Sequence, residues 1–164
     1  VFYMDFKNFF QWPPDANGRP LVRVNGGKFR NVGIEAEYGR RLSDRLKWNV
    51  SGFYSNPRQK EMNETYWKQA APKLQFTTGI RYESPTWEAG TSFSFVTKRL
   101  RNRDGGLNPN IALWNAYVGY HFNKDATLRL DARNLLDRHN VITNGDYEYW
   151  GDPFTYELSY TQKF

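Results

Sequence analysis

Apolar and polar side chains alternate one by one through most of this chain, and short clusters of turn residues interrupt the alternation at intervals. It is plainest near the end. Phe154, Tyr156, Leu158, Tyr160, Gln162 and Phe164 fall on one face, and Pro153, Thr155, Glu157, Ser159, Thr161 and Lys163 on the other, because successive side chains of a strand point to opposite sides. Seven earlier segments read the same way. The first sets Phe2, Met4, Phe6, Phe10 and Trp12 against Tyr3, Asp5, Lys7 and Gln11, with Asn8 and Phe9 breaking the pattern. The second, 28–42, sets Val32, Ile34, Ala36 and Tyr38 against Asn31, Glu35, Glu37 and Arg41. Leu46, Trp48, Val50 and Tyr54 then lead a third, Leu74 to Tyr82 a fourth and Trp87 to Phe95 a fifth. Ala112 to Phe122 and Leu128 to Leu136 supply the sixth and seventh.

The connections decide between architectures. Ser43-Asp44-Arg45, Ser84-Pro85-Thr86 and Asn123-Lys124-Asp125 are tight turns, whereas 13–27, 56–71, 98–109 and 138–152 are long loops. Long and short connections therefore alternate, as in an up-and-down transmembrane β-barrel with short periplasmic turns and long extracellular loops. The polar rows carry Glu35, Glu37, Lys47, Lys73, Arg81, Glu83, Arg129, Asp131 and Arg133, which suits a wet lumen. Arg40 is the one charge in mid-pattern on the apolar face. At the bilayer midplane it would cost roughly 2–4 kcal/mol, which places it near an interface. A soluble antiparallel sandwich shows the same period of two. The loop asymmetry and the aromatic last strand favour an all-β, antiparallel membrane barrel of which eight strands are present.

Composition adjusts this picture in several ways. The 164 residues amount to about one domain. Aromatic residues make up 18% of them, and Trp48, Trp87, Trp114, Tyr54, Tyr82, Tyr120 and Phe122 lie toward strand ends, where interfacial belts form. No apolar run is long enough for a membrane helix, but the mean hydropathy of -0.81 is compatible with a barrel, whose polar and apolar rows cancel in an average. The net charge is +6, yet no basic helix or RNA-binding motif accompanies it, so nucleic acid is not an expected partner. Cysteine is absent, which removes disulfides and thiolate chemistry. The sequence opens on Val1, and processing or truncation is the expected reason.

Catalytic and metal constellations do not assemble from spacing. His121 and His139 are the two histidines, and neither sits in an HxxH or HExxH pattern. There is no Gly-x-Ser-x-Gly elbow and no phosphate-binding loop. Glu35 and Glu37 share a face two residues apart, and lining a lumen accounts for them better than paired general acid and base. No enzyme, cofactor or metal centre is expected.

Leu130-Asp131-Ala132-Arg133-Asn134-Leu135-Leu136-Asp137-Arg138 resembles the penultimate-strand signature of TonB-dependent outer-membrane receptors. The run from Thr155 to Phe164 is similar to that family's closing strand, and Asn31-Val32-Gly33-Ile34-Glu35-Ala36-Glu37 resembles its recurrent strand motif. Leu136 stands where Phe is commoner, and Gly151-Asp152-Pro153 where Pro-Gly-Arg is frequent. The resemblance implies that residues 1–164 are the C-terminal part of a 22-stranded barrel, with the N-terminal plug domain and the earlier strands absent from this chain. It also implies the outer membrane of a Gram-negative bacterium as the location. The implied activity is TonB-driven import of a ferric siderophore or similar metal chelate; a passive porin-like or structural barrel is the alternative if the chain is complete. Candidate ligand contacts in the outer loops are then the aromatics Trp12, Tyr66, Trp67, Tyr147, Tyr149 and Trp150 and the cations Lys98, Arg99, Arg101 and Arg103. Tyr156, Leu158, Tyr160 and Phe164 form the expected barrel-assembly signal. Lipid, lipopolysaccharide, the assembly machinery and, through the plug, TonB are the implied partners.

Overall fold

The computed structural model describes residues 1–11, 24–62, 64–97, 99–100, 106–142 and 149–163. Eight long strands run in sequence: β1 (Phe2–Gln11), β2 (Val24–Arg41), β3 (Leu46–Ser55), β6 (Leu74–Glu83), β7 (Trp87–Val96), β10 (Ile111–His121), β11 (Ala126–Arg133) and β12 (Thr155–Gln162). Each pairs antiparallel with its neighbour in the chain, so the sheet is a meander from β1 to β12. It is open. No strand among the described residues joins β12 to β1, and β1 covers only Val24–Gly33 of β2, leaving the edge from Ile34 to Arg41 unpaired on that side.

The three tight turns close as their residues predict. Asn123 Oδ1 accepts from the backbone N–H of Asp125 (2.8 Å) and of Ala126 (2.9 Å). Ser84 Oγ accepts from Trp87 N at 2.9 Å, and Ser43 Oγ from Arg45 N at 3.3 Å. At the opposite end the loops contain strands of their own. β4 (Arg58–Lys60) pairs with Lys28–Arg30 of β2 and with β5 (Lys68–Gln69), while β8 (Arg99–Leu100) pairs with β9 (Leu107–Asn108).

Register fixes the two faces. Trp48, Ile80, Thr91, Ala116, Ala132 and Tyr156 follow one another across the sheet in a single row. The adjoining rows on that side are also largely apolar, and the opposite side carries most of the charges. Ile34, Tyr54, Ile80, Leu130 and Leu158 are exposed, so the apolar rows are an outer surface and not a dry interior shared with a second sheet. Only Ala112, Ala126 and Val141 are buried hydrophobics among the described residues.

Three expectations need correction. Phe2, Met4 and Phe6 stand opposite Gly33, Asn31 and Phe29, on the polar side of the sheet, while Tyr3, Asp5 and Lys7 align with the outward row Val32, Arg30 and Lys28. The first strand is thus turned over relative to the face its aromatics suggested. Gly33 confirms it: a Cβ there would lie 2.7 Å from Phe2 Cζ. Second, β2 begins at Val24, so Gly26 and Gly27 lie in the strand and not in a loop. Pairing with Phe9, Phe10 and Gln11 of β1 keeps these residues in the sheet. Third, β11 stops at Arg133 and leaves Leu136 outside. Asn134 adopts a left-handed φ of 51°, and its buried amide donates to Arg138 O and Asp152 O, both at 3.0 Å.

Candidate functional site

The looped end gathers most of the described candidate residues. Arg99, at the start of the β8–β9 hairpin, donates through Nη1 to Ile142 O at 2.9 Å, which ties two loops together. Asn140 reinforces that tie with two bonds to the Ala112 backbone, at 3.2 and 3.3 Å. Val141 bridges to Trp150, and Ile142 N donates to Tyr149 O at 2.8 Å. Tyr149 and Trp150 therefore flank the strand-like return of the last loop, both exposed, with His139 edge-on to Trp150.

Arg99 is left with unmet bonding capacity. Its Nε and Nη2 are enclosed and have no hydrogen-bond partner among the described residues, and burial lowers the guanidinium below the ordinary arginine value. Those two nitrogens form one edge of the planar fork, the edge that takes two oxygens of a carboxylate or similar oxyanion. Ile142, whose carbonyl Arg99 holds, also lines a cavity of about 170 Å³ together with Leu113, Asn115, Arg133, Asn140 and Asp152.

Trp67 and Tyr66 lie elsewhere. Trp67 sits under the Arg30 guanidinium, 5.5 Å from its ring centre, and with Val32, Asn56 and Arg58 lines a cavity of about 210 Å³. Arg30 and Val32 belong to the outward rows, so Trp67 occupies the outer flank of the sheet and not its polar side. Tyr66 is exposed beside it. The loop carrying both is clamped by Lys68, which reaches Glu61 at 3.0 Å and Glu64 at 2.7 Å. The hydrogen bond to Lys68 holds the Glu64 carboxyl below its ordinary value, and the same bond raises Lys68. Trp12, Lys98, Arg101, Arg103, Tyr147 and Phe164 lie outside the described residues.

The polar face is largely neutralised within itself. Arg129 bonds Asp131 at 2.8 Å and Glu88 at 3.0 Å while lying 3.8 Å over the Tyr117 ring, and Tyr117 in turn lies on Gly90. Glu83 receives both Lys47 and Arg81. His121 bonds Thr127 at 2.9 Å, and Glu35 and Glu37 face the same side, opposite Phe53 and Ser51. Among the described residues no group of three or more His, Asp or Glu converges on a common point.

Sequence reasoning missed one feature of this face. The overturned β1 puts Phe2, Met4 and Phe6 in one row on this face, with Phe6 and Phe29 at a 6.0 Å centroid distance and Met4 opposite Asn31, whose enclosed Oδ1 has no partner among the described residues. The signal was the break at Asn8–Phe9, where Asn8 takes a φ of 60° and the register shifts.

An open antiparallel meander with one polar and one apolar, exposed face, short turns at one end and structured loops at the other is a piece of membrane-barrel wall. The family model "TonB dependent receptor-like, beta-barrel" matches residues 1–135, and the chain belongs to that family. Solved structures agree on the fold. The ferric-catecholate import receptor Fiu from E. coli K12 in its closed form superposes with a TM-score of 0.74 at 17% identity, over 99% of this chain and 24% of that one. The ferric citrate transporter FecA, unliganded, gives 0.76 at 23% identity over 95% and 27%, and the ferric preacinetobactin receptor BauA from Acinetobacter baumannii 0.70 at 20% over 99% and 26%. The chain thus spans about a quarter of the length of each. No curated protein matches it in sequence.

Proposed function

We propose that residues 1–164 are the C-terminal eight strands of a larger outer-membrane barrel that imports an anionic metal chelate, a ferric chelate in the first instance, driven through a plug domain by TonB. The open edges of β2 and β12 support the larger barrel, because unpaired backbone groups in hydrocarbon cost several kcal/mol each and closure removes them. In that barrel the tight turns are periplasmic, the loops extracellular, and the polar face lines the lumen. The observation that carries the ligand reading is Arg99, whose two-nitrogen edge is enclosed at the looped end and unmatched among the described residues. Tyr149 and Trp150 in the loop that Arg99 holds, and Phe6 with Phe29 on the lumen side, offer aromatic faces to the organic part of a chelate.

The test is uptake of radioactive ferric citrate by cells carrying the full-length receptor. Uptake is expected to stop when the inner membrane is de-energised. Arg99→Ala is expected to weaken binding about tenfold or more, with Arg99→Lys a poor rescue because an ammonium lacks the fork. Uptake that persists in uncoupled cells would identify a passive pore and end the proposal.

A further inference from the structure

On the outward side of the sheet, above its apolar rows, the extension of β2 carries a ladder of cations. Lys7, Lys28 and Lys60 stand side by side across β1, β2 and β4, and in the next row Asp5, Arg30 and Arg58 do the same. Directly opposed like charges on paired strands repel and destabilise the sheet. Here two neighbouring strand pairs juxtapose lysine with lysine, and one juxtaposes arginine with arginine. Among the described residues a single carboxylate answers them: Asp5 meets Arg30 at 3.3 Å. Arg58 has only Asn56 Oδ1, also at 3.3 Å, and the nearby Glu61 and Glu64 are engaged by Lys68. Lys7, Lys28 and Lys60 have no acidic partner among the described residues.

The height of the ladder identifies what answers it. One step down from Arg30 on the same side, β2 reads Val32, Ile34, Ala36 and Tyr38, with Tyr54 of β3 opposite Ile34, and Val32, Ile34, Tyr38 and Tyr54 are exposed. The change from oil-facing to charged side chains therefore falls between Val32 and Arg30, at the looped end. Resting on the outer-membrane reading above, that level is the headgroup layer of the outer leaflet. The cavity between Arg30, Arg58 and Trp67, floored by Val32, opens onto the same flank. It offers an indole face beside the cations, as a residue spanning the wet and apolar zones does.

We propose that this ladder is a binding site for the phosphate groups of an anionic outer-leaflet lipid, with Lys7, Lys28, Lys60 and Arg58 as its free cations. Three strands at about 4.8 Å spacing and two rows of side chains make an array roughly 10 Å by 7 Å, wide enough for two phosphates of one headgroup. The site is distinct from Arg99: it faces the bilayer and not the ligand path, so it anchors and orients the barrel without touching cargo. The sequence hid it, because its members come from three separated segments and become neighbours only through register.

The experiment uses the full-length receptor in detergent with diphosphoryl and monophosphoryl lipid A as probes, and bound lipid read by native mass spectrometry. The diphosphoryl form is expected to be retained more tightly. In Lys28→Gln/Lys60→Gln that preference should shrink by roughly thirtyfold, since each near-surface cation contributes about fivefold. Asp5→Asn removes the one local anion and is expected to strengthen retention, which tests the idea in a variant that loses no cation. Inorganic phosphate at the lipid's concentration should not compete. A preference that survives Lys28→Gln/Lys60→Gln, an unchanged Asp5→Asn, or displacement by inorganic phosphate would each overturn the lipid site. Failure of the wild-type receptor to insert into vesicles at all would instead sink the outer-membrane reading on which it stands.

Discussion

Trp114 donates its indole N–H to Thr91 Oγ1 at 2.6 Å, and Thr91 passes its own proton on to Asn115 O at 2.9 Å. The arrangement repeats two strands away: Trp48 donates to Thr78 at 2.9 Å and Thr78 to Asn49 O at 3.0 Å. In both, the threonine stands opposite the residue two beyond the tryptophan and the accepting carbonyl lies between them. Each relay hides two polar hydrogens on the apolar face, where an unmet donor is expensive.

Thr91→Val should therefore destabilise the barrel by about 1–3 kcal/mol, the cost of stranding the indole N–H. Adding Trp114→Phe removes the stranded donor and should return part of that loss. Unfolding in urea of the four proteins of this cycle measures the coupling, and strictly additive losses would show that the relay contributes nothing.

The inside-outside assignment predicts unequal outcomes at two adjacent residues. Leu130 lies in the outward row between Val118 and Leu158, so Leu130→Arg should block membrane insertion, with a midplane cost of about 2–4 kcal/mol. Arg129→Leu should insert. It should still be less stable than the parent, because Asp131 and Glu88 lose their common partner. Heat-modifiability on gels separates the two, and equal insertion of both variants would refute the assignment.

The Lys68 clamp gives the outer loop a pH window. The Glu64 carboxyl is held below its ordinary 4.5, so its contribution is complete above that value and fades as acid passes through the lowered one. Lys68 is raised above 10.5, so its contribution is complete below that and is lost only at more alkaline pH. Hydrogen-exchange protection factors, taken relative to the intrinsic rate at each pH, should be highest on the plateau across residues 58–62 and 64–69 and fall at both extremes. Glu64→Gln should abolish the acid limb, and an unchanged acid limb would mean that another carboxylate governs it.

Most of the fold was legible because alternation and turn chemistry are local. The three tight turns, the eight long strands and the faces of seven of them follow from residues within a few positions of one another. What escaped is non-local. In β1 both rows carry rings, and Asp5 and Lys7 are few, so only pairing with β2 shows that Phe2, Met4 and Phe6 face the polar side. The resemblance marked Asn134 as a family residue, but its left-handed turn and its grip on Arg138 and Asp152 span eighteen positions. Of the candidate ligand contacts, Arg99 sits with Tyr149 and Trp150, whereas Trp67 belongs with Arg30 on the outer flank. No spacing in the sequence separates those two neighbourhoods.

In the proposed barrel, the layering of Gly90, Tyr117 and Arg129 bears on how far this wall intrudes on the lumen. A Cβ at position 90 would come within 2.6 Å of the tyrosine ring, so the ring can lie against the sheet only because that carbon is missing, and the guanidinium carbon sits 3.8 Å from the ring centre in turn. Two of the bulkiest side chains on this wall consequently intrude by little more than their own thickness. Gly90→Leu should tip both into the bore, and the expected result is slower passage of cargo with the barrel still intact, measured as uptake against surface abundance.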